Sequence, residues 1–436
     1  MASLDMPDAT RRVMRLYNLL LPFALLFMLP GALIRMLRRG GWQGSFGMRM
    51  GRLPPDLLAW AKTRRPLWLH SVSVGETRMA LRLLDALRER EPGLPIVLSV
   101  TTSTAAQLVQ PRLDEMTRMI FNPVDLPAAL HPVFQALQPR ALIAVEACWP
   151  NLFSIARSRQ IPLVWIPRVS PRSRKRYDRW REYAHVVFSL PDRIACGFEE
   201  EATWFRSLGV PAAQTWCSGS LKFDLSPEAE PTENAPQDLL HKLGWDPEIE
   251  CIVIGGSTFP GEEAALLRAC RTAFVNQAWR LILVPRHVER RAGISTMLEN
   301  EKETWTLRSQ PASDANPRIL LVDTTGELSA WYRCAQVAFV GKSLLSTGGQ
   351  NPVEPALAGC HVITGPDMSN FASITAELEN IGALTRIISE ATLAETLASL
   401  SHSPAPDPTR VTELLSAHRG AATRIAEATL KRIAAL

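Results

Sequence analysis

No two of the seven cysteines are spaced C-x-x-C, and their number is odd, so neither a disulfide framework nor a zinc site is expected. A reducing compartment fits that usage. No D-x-D pair stands at the end of an apolar run to clamp a divalent cation, and neither a metal nor a cofactor is expected. No A-x-A-like cleavage site follows the first apolar stretch before Arg35, which weakens a signal-peptide reading. Neither sign of charge dominates: a net charge of +5 favours anionic partners without choosing among them. No stacking pattern of aromatics accompanies the basic residues, so nucleic acid is not expected as a partner.

What is present is a chain of 436 residues, 46% hydrophobic and 21% charged, enough for two domains that each bury a core. Leu16–Ile34 is uncharged and rich in Leu, Phe and Ala, slightly under the roughly 20 residues that span a bilayer. Arginines flank it on both sides, and Pro22 and Pro30 are expected to interrupt a straight helix. A membrane-anchor helix within residues 1–40 is expected, lying in the interface, with a single span as the second choice. From Pro66 to Val210, short apolar runs (LWLHSV, IVLSV, MIFN, ALIAVE, LVWI) alternate with amphipathic stretches. A second such series follows (CIVIGG, LILVPR, ILLVD, VAFVG, HVITG). This alternation predicts parallel sheets with crossover helices. The boundaries read as a first Rossmann-like domain over 41–223, an acidic, Pro-rich linker over 224–238, a second Rossmann-like domain over 239–406 and a C-terminal helix over 407–436 that returns toward the first.

Two segments carry chemistry. In Gly341–Pro355, GKSLLSTGGQNPVEP, the apolar run Val337–Val340 ends in a glycine, as a buried parallel strand does. Gly348 and Gly349 would then let backbone N–H groups approach a phosphate at a following helix start. Glu354 could accept hydrogen bonds from two adjacent ribose hydroxyls; taken alone, it fits equally an ordinary dipole-friendly carboxylate. In Leu67–Glu76, LWLHSVSVGE, a strand runs into a helical pattern, which places Glu76 at a strand-to-helix corner, where α/β sheets hold their chemistry. A solvated helix-start Glu is the plain alternative.

With these segments stand TTST (Thr101–Thr104), VEACWPNL (Val145–Leu152), RVSPRSRKRY (Arg168–Tyr177), GSLKFD (Gly219–Asp224), GGST with GEE (Gly255–Glu263), VPRH (Val284–His287), DTTGEL (Asp323–Leu328) and GPDMSNF (Gly365–Phe371). In these motifs and their order, over almost its full length, the chain resembles the membrane-associated 3-deoxy-D-manno-octulosonic acid (Kdo) transferases. Those enzymes move Kdo from CMP-Kdo onto lipid A precursors in Gram-negative bacteria. The pattern is departed from at Cys148 (usually Glu), Ile166-Pro167 (Asn-Ala), Ser220 (Asn), Phe259 (His), Lys342 (Gly) and Gln350 (His).

The resemblance implies a GT-B glycosyltransferase, two Rossmann-like domains facing across a cleft, that inverts the anomeric centre of Kdo in lipopolysaccharide biosynthesis. The partners implied are CMP-Kdo, a lipid A precursor and inner-membrane lipids, with the enzyme on the cytoplasmic face of the inner membrane. It assigns Glu76 as the base that deprotonates the acceptor hydroxyl and Glu146 as a second functional acid. Ser73, Arg168, Ser170 and Ser173 are expected at the acceptor, within a basic run that otherwise reads as a solvated face. Ser257, Arg286, His287, Gly348 and Gly349 are expected at the donor phosphate, and Asn351 and Glu354 at the ribose. Lys342 either adds charge there or is a solvated replacement for glycine. The alternatives are a GT-B transferase using another nucleotide sugar on a lipid, and a membrane-bound scaffold of lipopolysaccharide assembly that has lost turnover.

Overall fold

The computed structural model describes residues 8–39, 43–224, 235–311, 316–401, 403–404 and 406–435, with backbone alone at 28–39, 43, 44 and 235. Residues Met1–Ser226 together with Ala417–Leu436 form one compact unit, and Pro227–Ser416 a second. Most of the stretch expected as a linker, 225–234, lies outside the described residues.

The first unit is built on seven parallel strands: β1 (Leu67–His70), β2 (Ile96–Val100), β3 (Thr117–Phe121), β4 (Ala141–Glu146), β5 (Leu163–Pro167), β6 (Arg193–Cys196) and β7 (Thr215–Cys217). Their order is β3-β2-β1-β4-β5-β6-β7. The central strands read as unbroken apolar runs because both faces are covered by helices. Side chains alternate across the sheet, so Trp68, Leu142, Ala144, Leu163 and Trp165 enter one core, and Leu67, Leu69, Ile143, Val145 and Val164 the other. The second unit repeats the plan with β8 (Cys251–Thr258), β9 (Trp279–Pro285), β10 (Trp305–Leu307), β11 (Ile319–Leu321), β12 (Val337–Val340), β13 (His361–Thr364) and β14 (Leu384–Arg386). Its order is β10-β11-β9-β8-β12-β13-β14, again all parallel. In the first sheet the strand order reverses between β1 and β4; in the second, where β10 and β11 are also exchanged at one edge, the central reversal lies between β8 and β12. Crevices for ligands open at such points, beyond the carboxyl ends of the strands.

The ten apolar runs identified in the sequence all coincide with strands. β6, β7, β10 and β14 have three or four residues each, too few for a periodic signal, and three of them lie at sheet edges. The C-terminal segment holds two helices, Pro408–His418 and Ala421–Ala434, broken at Gly420 with φ 76°. The second contributes Ala421, Ala422, Ile425 and Ala426 to a core of the first unit.

Near the N-terminus, Asp8–Arg39 is one continuous helix that runs through Pro22 and Pro30, contrary to the expected interruption. A proline costs a helix one backbone hydrogen bond and bends it, and need not end it. One face of this helix turns inward through the buried Thr10 and Met14 and the half-buried Tyr17. The opposite face carries Leu16, Leu19, Leu20, Phe23, Leu26 and Phe27 at helical spacing, each more than half exposed. Among the described residues, no helix is long and apolar enough to cross a membrane.

Candidate active site

At the reversal point of the first unit, β1 passes through Ser71–Ser73 into helix Val74–Arg90. Ser73 is its N-cap, accepting a hydrogen bond from the Glu76 N–H at 3.3 Å. The Glu76 carboxylate reaches back to accept from the Val72 N–H at 2.7 Å, the reciprocal contact of a capping box moved one residue outward. Glu76 is 8% exposed, and burial raises its pKa, with a smaller upward push from the charge of Glu146 and opposition from the Val72 and Ser73 bonds. The loop is anchored from below. The Asn122 side chain donates to the Ser71 carbonyl at 2.6 Å and to the Thr101 hydroxyl at 2.8 Å, and the Ser71 and Thr77 hydroxyls lie 3.0 Å apart. Thr101, Asn122 and Ser71 sit at the ends of three adjacent strands, so the TTST motif supports the loop that holds Glu76.

Glu146 ends β4 in the left-handed region, φ 55°, with its side chain 13% exposed. Two cations flank it: Arg168 Nη1 at 3.3 Å and Lys222 Nζ at 4.0 Å. Burial, and then the charge of Arg168, lower the pKa of Lys222, while Glu146 and Glu201 act against that. Arg168 itself is exposed. Ser170 caps helix Pro171–Arg179, accepting from the Ser173 N–H at 3.2 Å while its hydroxyl donates to Ser173 Oγ at 3.0 Å. The basic run divides: Arg174 bonds Glu200 and lies over the Trp204 ring, Arg181 bonds the Ser207 carbonyl, and Arg172, Lys175, Arg176 and Arg179 are exposed. The structure thus brings Glu76, Ser73, Glu146 and Arg168 to the strand ends of one sheet, with Ser170 and Ser173 on the helix that follows β5.

In the second unit, the ends of β8 and β12 are held together by a carboxylate. Glu262 is fully buried and accepts hydrogen bonds from the backbone N–H groups of Phe259 (2.8 Å), Lys342 (2.8 Å), Ser343 (3.1 Å) and Leu344 (3.1 Å). Beside it Glu263 pairs with both Arg290 nitrogens at 2.7 and 2.9 Å and accepts from Thr258 Oγ1 at 2.7 Å. Ser257 has φ 53° and is half-buried; Arg286 and His287, at the end of β9, are exposed. Two positions that depart from the family pattern touch: Lys342 Nζ stands 5.5 Å from the centroid of the Phe259 ring, whose other neighbour is His287 at 5.8 Å.

The Gly348 N–H is bonded to Asp367 at 3.1 Å and the Gly349 N–H to the Lys342 carbonyl at 2.9 Å, so in this state both donors are engaged within the protein. Both glycines have positive φ, 108° and 67°, and a Cβ would collide with Asn370 or Met368 of the GPDMSNF loop. Their need for glycine is therefore accounted for by that packing. The helix that follows, Val353–Leu357, is a single turn. Glu354 is held on both carboxylate oxygens, by Asn351 Nδ2 at 2.8 Å and Ser329 Oγ at 3.0 Å. Among the described residues, no three His, Cys, Asp or Glu side chains gather as a metal site.

The sequence family described as 3-deoxy-D-manno-octulosonic-acid transferase (Kdo transferase) matches residues 44–225. A 3-deoxy-D-manno-octulosonic acid transferase of Bordetella pertussis is 31% identical over 377 residues, covering 81% of this chain and 83% of its own length. The chain belongs to the Kdo transferase family. Another relative of the same name, from Haemophilus influenzae, is 30% identical over 338 residues and covers 76% and 77%. Among solved structures, the glycotransferase of kitacinnamycin matches with a TM-score of 0.51 and 15% identity over 85% of this chain and 99% of its own, which speaks for the fold alone.

Membership makes this Kdo transferase a glycosyltransferase, and it sharpens what the motifs conceal. Lys222 lies inside the GSLKFD motif yet showed its part only when the fold brought it to Glu146. Asn122, Asp125 and Ser329 carried no sequence signal, since each acts on a residue far from it in the chain. Glu262 and Glu263 were legible as a GEE motif, but not as the internal carboxylates that tie β8 to β12 and to Arg290.

Proposed function

We propose that this Kdo transferase moves Kdo, or a related octulosonic acid, from CMP-Kdo to a lipid A precursor in lipopolysaccharide biosynthesis, with inversion at the anomeric carbon. The observation that carries the reading is the pairing of Glu76 and Glu146 at the reversal point of the first sheet, one carboxylate buried against the Val72 N–H and the other set between Arg168 and Lys222. In this reading the first unit takes the acceptor and the second the donor. The acceptor hydroxyl oxygen forms the new bond to the anomeric carbon as the bond to the cytidylate phosphate breaks, and Glu76 receives the hydroxyl proton. Burial raises the basicity of Glu76 toward what that task needs.

Glu146 orients the acceptor through Arg168 and Lys222, whose charges suit phosphate groups on a lipid A precursor, with Ser73, Ser170 and Ser173 at its rim. In the second unit Glu354, already braced by Asn351 and Ser329, takes the ribose. The exposed Arg286 and His287, with Ser257, face the phosphate of the leaving cytidylate. The apolar stripe from Leu16 to Phe27 lies on a lipid surface, the cytoplasmic face of the inner membrane.

The deciding experiment is transfer from CMP-Kdo, generated in situ, to tetraacylated lipid A precursor, with EDTA added once the donor is made and the lipid read by mass spectrometry. A mass gain of one or more Kdo units supports the reading; no gain from folded protein beside an active control enzyme overturns it. Removing residues 1–39 is expected to release the protein from sedimenting membranes, and undiminished association refutes the anchor.

A further inference from the structure

Helix Pro150–Ser158 begins four residues after Glu146, and its N-cap, Trp149, offers no capping side chain. The cap comes from elsewhere. Asp125, in the loop after β3, accepts hydrogen bonds from the Leu152 N–H at 2.9 Å and the Asn151 N–H at 3.2 Å, the two donors an N-cap would have satisfied. Asp125 is 9% exposed, and the same oxygen that accepts from Asn151 also accepts the Tyr17 hydroxyl at 2.9 Å. A second strut runs parallel: the Asn151 side chain donates to Asn18 Oδ1 at 2.7 Å and to the Asp125 carbonyl at 2.7 Å. The inward face of the N-terminal helix is thus hydrogen-bonded to the first turn of the helix that follows Glu146.

The segment joining that turn to Glu146 has little slack. It holds only Ala147, Cys148 and Trp149. The Ala147 N–H bonds the Val145 carbonyl at 2.7 Å, Cys148 packs against the core, and the Trp149 ring meets His70 edge-on at 4.5 Å. A shift of the Pro150–Ser158 helix start therefore passes to the left-handed Glu146 and to the Arg168–Lys222 pair around it.

We infer that Tyr17 and Asn18 are positioning residues for Glu146, acting through Asp125 and Asn151, so that the N-terminal helix is part of the active-site scaffold as well as an anchor. This rests on the transferase reading above for its kinetic consequence, but the physical link stands apart from it. An anchor alone needs only apolar side chains facing lipid. It has no use for a tyrosine hydroxyl and an asparagine amide directed at a helix cap 108 to 133 residues away.

The test uses the full chain with acceptor dispersed in detergent micelles, where membrane binding is not needed for encounter. Tyr17→Phe removes one hydroxyl and keeps the ring, and Asn18→Ala breaks the second strut. Each is expected to lower kcat about tenfold, as a small misplacement of a positioned group does, with KM for CMP-Kdo and sedimentation with membranes unchanged. Hydrogen exchange is expected to quicken at the Asn151 and Leu152 amides in both variants, and not in β1 or β2. If the parent transfers Kdo and both variants match its kcat, the positioning role is overturned. If the parent does not transfer, the transferase reading fails, and the exchange measurement still decides the link: unchanged exchange at 151–152 in both variants overturns it.

Discussion

A carboxylate that must take a proton from a sugar hydroxyl has to be ionised yet basic, and burial of Glu76 moves its pKa upward, in the direction required. The rate under kcat/KM conditions should therefore rise with pH through a value above that of an ordinary Glu. Glu76→Ala is expected to lower kcat by roughly 10²- to 10⁴-fold, the usual range for a lost general base. CMP affinity, measured by calorimetry, should be unchanged; a parallel loss of affinity would assign Glu76 to binding instead. At this scale the sequence was most informative where function and local geometry coincide. Glu76 is visible because a strand-to-helix corner and a carboxylate sit within ten residues. Lys222 and Asp125 are not, because their partners, Glu146 at the end of β4 and Leu152 in the helix Pro150–Ser158, are distant in the chain and are set beside them only by the fold.

Helix starts in this protein are repeatedly satisfied by carboxylates distant in sequence. Asp125 serves Pro150–Ser158, and Asp224 serves Ala421–Ala434, accepting from the Gly420 and Ala422 N–H groups at 2.6 Å each where Gly420 has no side chain to offer. Sequence rules for caps look only at the residues flanking the helix, so neither Asp125 nor Asp224 is visible to them; for Pro150–Ser158 they offer the strand-end Glu146 as a cap instead, whereas the Asn151 and Leu152 N–H groups donate to Asp125. Burial pushes the Asp125 carboxyl up to about 6 from an ordinary 3.8, and its titratable neighbours Tyr17, Tyr183 and Cys148 are shifted upward and stay protonated through neutral pH. Between those two values the folded protein holds a proton that the unfolded chain has released. The contribution of Asp125 to stability therefore grows as pH falls through 6 and levels off below about 4, a swing of roughly 3 kcal/mol. Asp125→Asn, which does not titrate, should lose least against the parent at pH 8 and most near pH 4.5 in urea unfolding; a difference independent of pH would deny the shift.

The loop after β12 is held by a related device. Replacing the fully buried Glu262 with Ala leaves four backbone N–H groups without their acceptor and should cost about 3 to 5 kcal/mol. Glu262→Gln is expected to cost less, since one carbonyl oxygen still accepts. Equal thermal stability of Glu262→Ala and the parent would show that water reaches these groups.

Over the whole molecule, the two series of strands were legible because parallel sheets covered on both faces demand continuous apolar runs, whereas the short outer strands, paired on one side only, leave little trace. The first unit is not contiguous: it is completed by the last twenty residues, after the chain has built the whole of the second. Ala421, Ala422, Ile425 and Ala426 lie in the same core as Met79, Leu83 and Leu87 of helix Val74–Arg90, and Arg90 bonds Glu427 at 2.8 and 3.0 Å on the rim. Burial of Ile425 alone is worth about 2 kcal/mol, and the two Asp224 caps add about 1 to 2. A chain ending at His418 is therefore expected to lose the thermal transition of the first unit, or to have it lowered by 10 °C or more, roughly what a loss of several kcal/mol does to a domain of this size. The transition of the second unit should stay in place, because, among the described residues, its hydrophobic cores include none from the removed helix. Asp224→Ala, which leaves the apolar face intact, should lower the first transition by only a few degrees. Scanning calorimetry of the three proteins separates the contributions: a truncated chain whose two transitions fall together would mean that the C-terminal helix stabilises both units, and the division between them would have to be redrawn.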